Sequence, residues 1–261
     1  MSQLDIFDLD IEPLSKTPRR VMVYLPTGYN TTTKPYPVLY MFDGHNVFLD
    51  EYATYGTSWG FKQYLDETHL QLIVVGVDCN HEGRKRLDEY CPIDVPSNSW
   101  IGQITPIGDL TANWFINTLK PYIEQHYNVS SNRNDVGIGG SSMGGLMAIY
   151  MISKYSNIYS KAACVSPTMD INFEHLSSIV QANQIHEDTR IYLDFGSEEV
   201  KKKQTMAQCL DRLLILNHHF TTNGATTFPN IVVGGMHNEA SWSTIVPLFL
   251  EYLYPDLYKE L

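Results

Sequence analysis

One serine of this chain stands in a setting that suits a nucleophile. Ser142 is the central residue of a G-x-S-x-G pattern at 140–144, with an apolar strand predicted before it and an amphipathic helix, 143–153, predicted after it. Glycines two residues to either side let the strand and the helix approach each other where larger side chains would collide. The helix also directs its free N–H groups toward an oxyanion formed at the serine. The pattern therefore predicts a nucleophile on a strained strand-to-helix turn.

A histidine and several acids follow this serine at later strand ends. His237 comes directly after the last predicted strand, 228–233, beside glycines that let the backbone bend, which suits a general base. Asp194, Glu198 and Glu199 lie near the end of the preceding strand, and each is a candidate for the acid that orients the base. Serine, acid and histidine in this order along the chain are typical of α/β-hydrolases.

The position of each acid separates the candidates in part. Asp194 lies inside the apolar run 191–195 and is therefore expected to serve the structure of the strand. Glu198 and Glu199 begin a predicted helix, 198–217, where neighbouring side chains point about 100° apart. We therefore expect only one of the two glutamates to face the histidine, and the spacing leaves open which one.

The rest of the chain predicts the elements that position these residues. Continuous apolar runs at 38–42 and 72–77 indicate strands buried on both faces, and alternating patterns at 5–12 and 20–25 indicate half-buried strands. Strands that alternate with helices predict a mainly parallel central sheet with antiparallel N-terminal edge strands, helices on both faces and a minimal cap. We predict one α/β domain over 1–261. The other predicted elements are strands at 161–166 and 190–195 and helices at 58–68, 110–127, 174–182 and 241–254.

A long loop is predicted at 78–108, where no helical or strand period is visible. Loops of this length in a compact domain usually carry function, so we expect this one to form most of the pocket wall. Trp100 could line the acyl or alcohol part of the site, although a buried structural tryptophan is an equal alternative. Arg84 and Arg86 could face an anionic substrate group, although solvated loop charges are the more ordinary explanation.

Composition limits the class of protein and its partners. The chain has 261 residues and a formal net charge of −11 without a basic stripe, which argues against a nucleic acid partner. No apolar run is long enough to span a membrane. Four cysteines without C-x-x-C spacing and an acidic N-terminus unlike a secretory signal predict free thiols in the cytoplasm. His218 and His219 lack clustered acids, so no metal is expected. The pattern leaves a homo-oligomer open.

The chain resembles a known family from about Arg20 to Tyr254. The segments that carry the resemblance are 23–26, 40–48, 86–92, 139–145, 166–167, 196–199 and 235–242. They are similar to the esterase D-like branch of the α/β-hydrolases. That branch includes siderophore esterases, feruloyl and acetyl-xylan esterases, S-formylglutathione hydrolases and mycolyltransferases. The segments together are specific for the family, and none is specific for a substrate.

The resemblance implies a catalytic triad. Ser142 would be the nucleophile, His237 the base, and Glu199 the acid that orients the base. The family often has aspartate in place of Glu199, so this position departs from one of its common patterns. Trp242, at the end of the segment 235–242, is placed with the residues that bind substrate.

The resemblance also implies an oxyanion hole and the absence of a cofactor. Its donors would be the Met143 amide and an amide from the turn formed by His45 and Asn46. His45 stands where the family often has glutamine, which affects the second donor. The reaction uses only side chains and amides of the chain, so no cofactor is expected.

The predicted function is a serine carboxylic-ester hydrolase that forms an acyl-enzyme. Its small-molecule substrates would be small acyl, acetylated or feruloylated sugar, or siderophore-lactone esters. An acyltransferase or an S-formylglutathione-type thioesterase is an alternative that the triad does not distinguish. A binding protein that has lost catalysis is disfavoured, because a serine, a histidine and an acid are all present.

Overall fold

The computed structural model describes residues 1–259; the last two residues, which the prediction of one domain over 1–261 includes, lie outside it. Within this range an eight-stranded sheet has the order β1-β2-β4-β3-β5-β6-β7-β8. β1 and β2 are antiparallel to their neighbours, and the other six strands, β3 to β8, are parallel to one another. The predicted mainly parallel sheet with antiparallel N-terminal strands is therefore confirmed. The strands are β1 Gln3–Leu9, β2 Arg19–Leu25, β3 Val38–Phe42, β4 Ile73–Val77, β5 Val136–Ser141, β6 Lys161–Val165, β7 Arg190–Gly196 and β8 Thr226–Val232.

Helices connect the strands and cover both faces of the sheet. A π-helical turn, Phe115–Leu119, joins the helices Gly108–Trp114 and Lys120–His126. A short 3₁₀ turn, Gly44–Asn46, follows β3. No helix in residues 1–259 is both long and apolar enough to cross a membrane. The helices are α1 Phe61–Thr68, α2 Lys85–Glu89, α3 Gly108–Trp114, α4 Lys120–His126, α5 Met143–Lys154, α6 Phe173–Ala182, α7 Lys203–Thr222, α8 Glu239–Ser243, α9 Val246–Leu253 and α10 Pro255–Tyr258.

The buried strands divide the core between the two faces of the sheet. In β3, Val38, Tyr40 and Phe42 join one hydrophobic cluster, and Leu39 and Met41 join the other, because side chains alternate along a strand. Helices α3 to α7 contribute to the first cluster, and α1, α8 and α9 to the second. Since both faces are covered, β3 is apolar and buried along its whole length.

Several predicted elements differ from the structure. The helix predicted at 110–127 is divided into α3, the π-helical turn and α4, the helix predicted at 58–68 begins at Phe61, and the strand predicted at 5–12 is Gln3–Leu9. The helix predicted at 198–217 begins at Lys203 and ends at Thr222, because the residues before Lys203 form a turn. The helix predicted at 241–254 is divided into α8 and α9, and Pro247 lies in the first turn of α9. Proline has no N–H to donate, so it starts a helix more readily than it continues one. The loop predicted at 78–108 contains the short helix α2.

Candidate active site

Ser142 lies on the sharp turn between β5 and α5. Its backbone has φ 57° and ψ −119°, a conformation that a residue with a side chain adopts only under strain. A Cβ placed on Gly140 would lie 2.9 Å from the carbonyl carbon of Gly144, and one placed on Gly144 would lie 2.9 Å from the Cβ of Phe42. A larger residue at Gly140 would therefore push β5 away from α5, and one at Gly144 would push α5 away from β3. The turn has the close packing that the sequence pattern requires.

The carboxylate of Glu199 is buried behind the ring of His237. Its Oε2 lies 2.6 Å from His237 Nδ1. Its Oε1 accepts hydrogen bonds of 2.6 Å from the Gly196 amide and from the Ser166 hydroxyl. The Glu199 side chain is 2% exposed, against 42% for His237. A carboxylate that holds Nδ1–H leaves Nε2 as the basic nitrogen of the ring.

The other two candidate acids are placed differently. Asp194 is buried and accepts hydrogen bonds from the Ser166 amide at 2.8 Å and the Tyr192 hydroxyl at 2.9 Å. Glu198 is exposed to solvent. Of the three acids, Glu199 alone contacts His237 within residues 1–259. The expected reason was wrong, however, because both glutamates lie in the turn before α7 and not at the start of a helix.

Burial gives Asp194 a titration that can be measured. Loss of hydration raises its pKa from 3.8 to about 7; hydrogen bonds from Ser166 and Tyr192 oppose this rise, and the charge of Glu199 adds to it. An acid with a higher pKa in the folded state binds its proton more tightly when folded. The stability that it contributes is therefore fully present below about pH 4 and is lost as the pH rises through about 7.

The variant Asp194→Asn removes this titration. Between pH 5 and pH 8, we expect the free energy of unfolding of the wild type to fall by about 2 to 3 kcal/mol relative to that of the variant. Urea unfolding of both proteins at each pH measures the difference. A difference that stays constant with pH would show that Asp194 ionises with its ordinary pKa.

Two backbone amides next to the elbow are candidates for the oxyanion hole. The turn after β3 lies beside the elbow because β3 pairs with β5. Met143 is the first residue of α5, so its N–H has no partner within the helix. The Asn46 N–H donates instead to the Asp43 carbonyl at 2.8 Å, whereas the His45 N–H makes no such turn bond among the described residues. The expectation that the Asn46 amide donates to the oxyanion is therefore corrected. Of the two amides in this turn, the geometry favours that of His45 as the donor.

The side chains of this turn serve the structure around it. The Asn46 amide donates to Glu239 Oε1 at 3.0 Å. The buried His45 ring lies between Asp78 and Thr54, with Nδ1 2.6 Å from Asp78 Oδ1 and Nε2 3.0 Å from Thr54 Oγ1. Both side chains thereby hold the turn after β3 in place, and this turn carries the His45 amide.

Trp242 supports the candidate triad from behind. Its indole N–H donates to the Ser166 hydroxyl at 2.9 Å, and that hydroxyl in turn donates to Glu199. Its ring meets the His237 ring edge-on, with centroids 5.1 Å apart. Trp242 is buried and contacts Ser166 and His237, so the expectation that it binds substrate is corrected.

The two arginines of the 78–108 segment do not line the candidate site. Arg86 Nε and Nη2 donate to the two carboxylate oxygens of Asp43, both at 2.7 Å. Burial disfavours the charge of Arg86, but Asp43 more than offsets this and raises the arginine pKa. Arg84 donates to the Ile101 carbonyl. The hypothesis that these arginines face an anionic substrate is therefore corrected. Arg86 binds Asp43 in the turn after β3, and Arg84 binds the backbone of its own segment at Ile101.

A small cavity opens beside Ser142 and His237. Its volume is about 190 Å³. Two larger clefts of about 950 Å³ contain neither Ser142 nor His237, so the chemistry places the site in the smaller one. The exposed Trp100 lies at its rim. The remaining walls combine apolar and polar side chains from the ends of β6 and β7 and from α7. These residues are Pro167, Thr168, Met169, Asp170, Phe195, Val200, Thr205, Cys209 and Arg212.

Two charged residues of this cavity were missed by the sequence analysis. Asp170 follows β6 within a few residues, and its position after a strand end was a signal that could have identified it. Arg212 lies within α7 and stacks over the Phe173 ring at 5.4 Å. No local pattern distinguishes Arg212 from the other charges of α7, because only the packing of α7 against α6 brings it to the cavity.

Comparisons with known proteins show relatives of this chain and its fold. Over 192 residues, 72% of each chain, the protein is 28% identical to the uncharacterised protein YbbA of Bacillus subtilis (strain 168). A ferulic acid esterase superposes over 98% of both chains with a TM-score of 0.72 at 18% identity. The enterobactin and salmochelin hydrolase IroE superposes over 97% of this chain and 96% of its own, with a TM-score of 0.68 at 18% identity. These structural likenesses show an α/β-hydrolase-type fold.

The family itself is shown by a match along most of the sequence. Residues 14–247 match the profile described as "Putative esterase". This range includes the elbow serine and the Glu199–His237 pair, and it extends from the turn before β2 into α9. Together with the esterase-like fold, the match identifies a carboxylic ester hydrolase. The chain belongs to the Putative esterase family.

Proposed function

We propose that Ser142, His237 and Glu199 form the catalytic triad of this esterase. One observation carries the proposal: the buried Glu199 carboxylate lies 2.6 Å from His237 Nδ1 in the wall of a cavity that also contains Ser142. In the first step, His237 Nε2 takes the hydroxyl proton while the serine Oγ attacks the ester carbonyl carbon. The negative charge of Glu199 then stabilises the imidazolium.

The resting serine must rotate for this step. Ser142 Oγ lies 3.3 Å from Thr168 Oγ1, which is its hydrogen-bond partner within residues 1–259. For the first step, the hydroxyl must leave Thr168 and come within hydrogen-bond distance of His237 Nε2. Catalytic hydrogen bonds are often misaligned before substrate binds, so the resting geometry is compatible with this role.

The remaining steps use the same groups. The amides of Met143 and His45 would donate to the oxyanion of the tetrahedral intermediate. When this intermediate collapses, His237 gives its proton to the leaving alcohol, and a water molecule then attacks the acyl-enzyme with His237 again as base. The His237 side chain is 42% exposed, which gives water access to the base.

The proposed enzyme acts on small molecules in a reducing compartment. Its four cysteines are buried and free, the usual state in the cytoplasm. The formal net charge of −11 disfavours nucleic acid as a partner. The proposed mechanism requires no cofactor, because each proton transfer and each covalent step uses a side chain or an amide of this chain.

The cavity favours a short acyl group. Its volume of about 190 Å³ lies below the range of roughly 300 to 1,000 Å³ that is usual for drug-sized ligands. Its walls include Met169, Phe195 and Val200, which suit an alkyl chain. Besides the proposed triad, its lining carries one acid and one base, Asp170 and Arg212, so the cavity does not select a polyanion. We therefore place small acyl esters, including acetylated sugars, ahead of the feruloyl and siderophore-lactone esters that the names of the two structural relatives suggest.

A panel of esters tests this proposal. With one common alcohol, we expect kcat/KM to be highest for the acetyl or butyryl ester and at least about tenfold lower for the feruloyl ester, a difference of about 1.4 kcal/mol in transition-state binding. A siderophore lactone is measured alongside. The reverse order would contradict the short-acyl assignment, and no turnover of any ester by the folded protein would contradict hydrolysis. Product analysis with added alcohol separates hydrolysis from acyl transfer.

A further inference from the structure

Four side chains that commonly bind metals lie together beside the turn after β3. His45 is on this turn, and Asp78, Cys79 and His81 follow the end of β4. One donor atom of each residue lies within 4.8 Å of the donor atoms of the other three. His45, Asp78 and Cys79 are buried, whereas His81 is exposed and leaves the cluster open to solvent on one side. The parallel pairing of β3 with β4 brings His45 to the other three residues.

The cluster contains a buried nitrogen without a well-directed hydrogen bond. Asp78 Oδ1 lies 2.6 Å from His45 Nδ1, but the angle between them is poor for a hydrogen bond, and Nδ1 has no better partner among the described residues. The His45 side chain is 6% exposed. A buried polar atom without a well-directed partner is costly, and an unlocated ion is one of its ordinary explanations.

The other donors lie around His81, with Asp78 next to one ring nitrogen and Cys79 next to the other. His81 Nε2 lies 2.9 Å from Asp78 Oδ1, the oxygen that His45 Nδ1 also approaches. Cys79 Sγ lies 4.0 Å from His81 Nδ1. The two imidazole rings stand nearly perpendicular, with centroids 4.9 Å apart. One carboxylate oxygen between two imidazoles, with a thiol beside them, is an arrangement that a cation could bridge.

We propose that His45, Asp78, Cys79 and His81 bind one Zn²⁺ ion. Thiolate and imidazole donors suit zinc, whereas Mg²⁺ and Ca²⁺ take oxygen ligands. Four protein ligands complete a tetrahedral shell, which is typical of a structural zinc site. Zinc bonds of about 2.0 to 2.3 Å place tetrahedral donors roughly 3.3 to 3.8 Å apart. The widest donor pair must therefore close by about 1 Å. Asp78 Oδ1 must also move away from His45 Nδ1 and His81 Nε2, which lie 2.6 and 2.9 Å from it, so rotation of both the exposed His81 ring and the Asp78 carboxylate is required.

The proposed ion would stabilise the structure and would not take part in the reaction. None of Ser142, His237 and Glu199 is among its ligands. It would join the turn that carries the His45 amide to the end of β4, and Arg86 holds the same turn through Asp43. Loss of the ion should therefore lower the temperature of unfolding in addition to any effect on the reaction.

Metal binding is tested directly on the full chain. The protein is stripped with a chelator under reducing conditions and titrated with Zn²⁺ or Co²⁺, and the bound metal is counted by mass spectrometry after desalting. We expect one ion per chain. With Co²⁺ we expect the strong visible absorption of a tetrahedral site and the near-ultraviolet charge-transfer absorption of a cobalt–thiolate bond. Zn²⁺ should also raise the temperature of unfolding.

Variants separate this site from adventitious binding. Cys79→Ser should abolish the charge-transfer absorption, and His81→Ala, at an exposed position that folding should tolerate, should weaken Zn²⁺ binding by at least about tenfold. The matched controls Cys209→Ser and His218→Ala should keep both properties of the wild type.

Three results would overturn the proposal. One is substoichiometric zinc in the stripped and titrated wild type, which would leave the cluster as two imidazoles in contact with Asp78. Another is cobalt binding without charge-transfer absorption. The third is zinc affinity in folded His81→Ala equal to that of the wild type. Circular dichroism of each variant establishes that it is folded before its metal affinity is compared.

Discussion

Replacement of Ser142 by alanine should lower the kcat for ester hydrolysis by about 10⁶-fold, the cost of removing a serine nucleophile. Without Oγ no acyl-enzyme forms, and the residual rate comes only from substrate binding and the oxyanion donors. Alanine keeps the Cβ of serine, so the strained turn at φ 57° experiences no new steric conflict. The variant should therefore fold as the wild type does.

An organophosphonate probe provides a second measurement of the same assignment. It should add once to the wild type, at Ser142, and should not add to Ser142→Ala, as judged by intact mass and by peptide mapping. The neighbouring Ser141 lies at the end of β5 and supplies a matched control, since Ser141→Ala should keep both labelling and activity. Labelling that persists in Ser142→Ala would show that another residue is the nucleophile.

Replacement of Glu199 by glutamine should lower kcat by about 10⁴-fold and change KM little. The carboxylate at 2.6 Å holds Nδ1–H and stabilises the positive ring that forms in the transition state. An amide has no negative charge, and if its NH₂ group faces Nδ1 it selects the wrong tautomer of the ring. The loss therefore falls on the chemical step and not on substrate binding.

Two neighbouring acids act as controls for this result. Glu198→Gln removes an exposed charge one residue away and should keep kcat near the wild-type value. The kcat of Asp194→Asn should fall much less than that of Glu199→Gln when both variants are assayed at a pH at which they are folded. Because Glu199 is buried, thermal unfolding of each variant must accompany the kinetics. A large loss in Glu198→Gln with nearly normal kcat in Glu199→Gln would reverse the assignment.

The esterase fold and the elbow were predictable because their signals are local. The apolar runs of β3 and β4 reflect burial on both faces, and each is contained within a few residues. The glycines at 140 and 144 mark one close contact between consecutive elements. Helix limits were predicted less well where a turn or a proline decided them, as at Lys203 and Pro247.

Side-chain partners across the chain were not predictable in this way. From its sequence position Arg86 was a free basic residue, yet it pairs with Asp43 because β4 lies beside β3 in the sheet. Trp242 was placed with substrate, yet its N–H supports Ser166 behind the proposed acid. Each partner lies far away along the chain, so no pattern within one segment contains the information.

The sequence by itself thus determined the sheet and the strained serine turn, because backbone sterics and hydrophobic periodicity act between near neighbours. The class of enzyme followed from segments that resemble a known family. Only the tertiary structure decided which acid meets His237, which amide of the turn after β3 stays available, and that Arg212 reaches the cavity. It also brought His45 to Asp78, Cys79 and His81. These outcomes depend on the order in which strands pair, since that order sets which strand ends meet at the edge of the sheet.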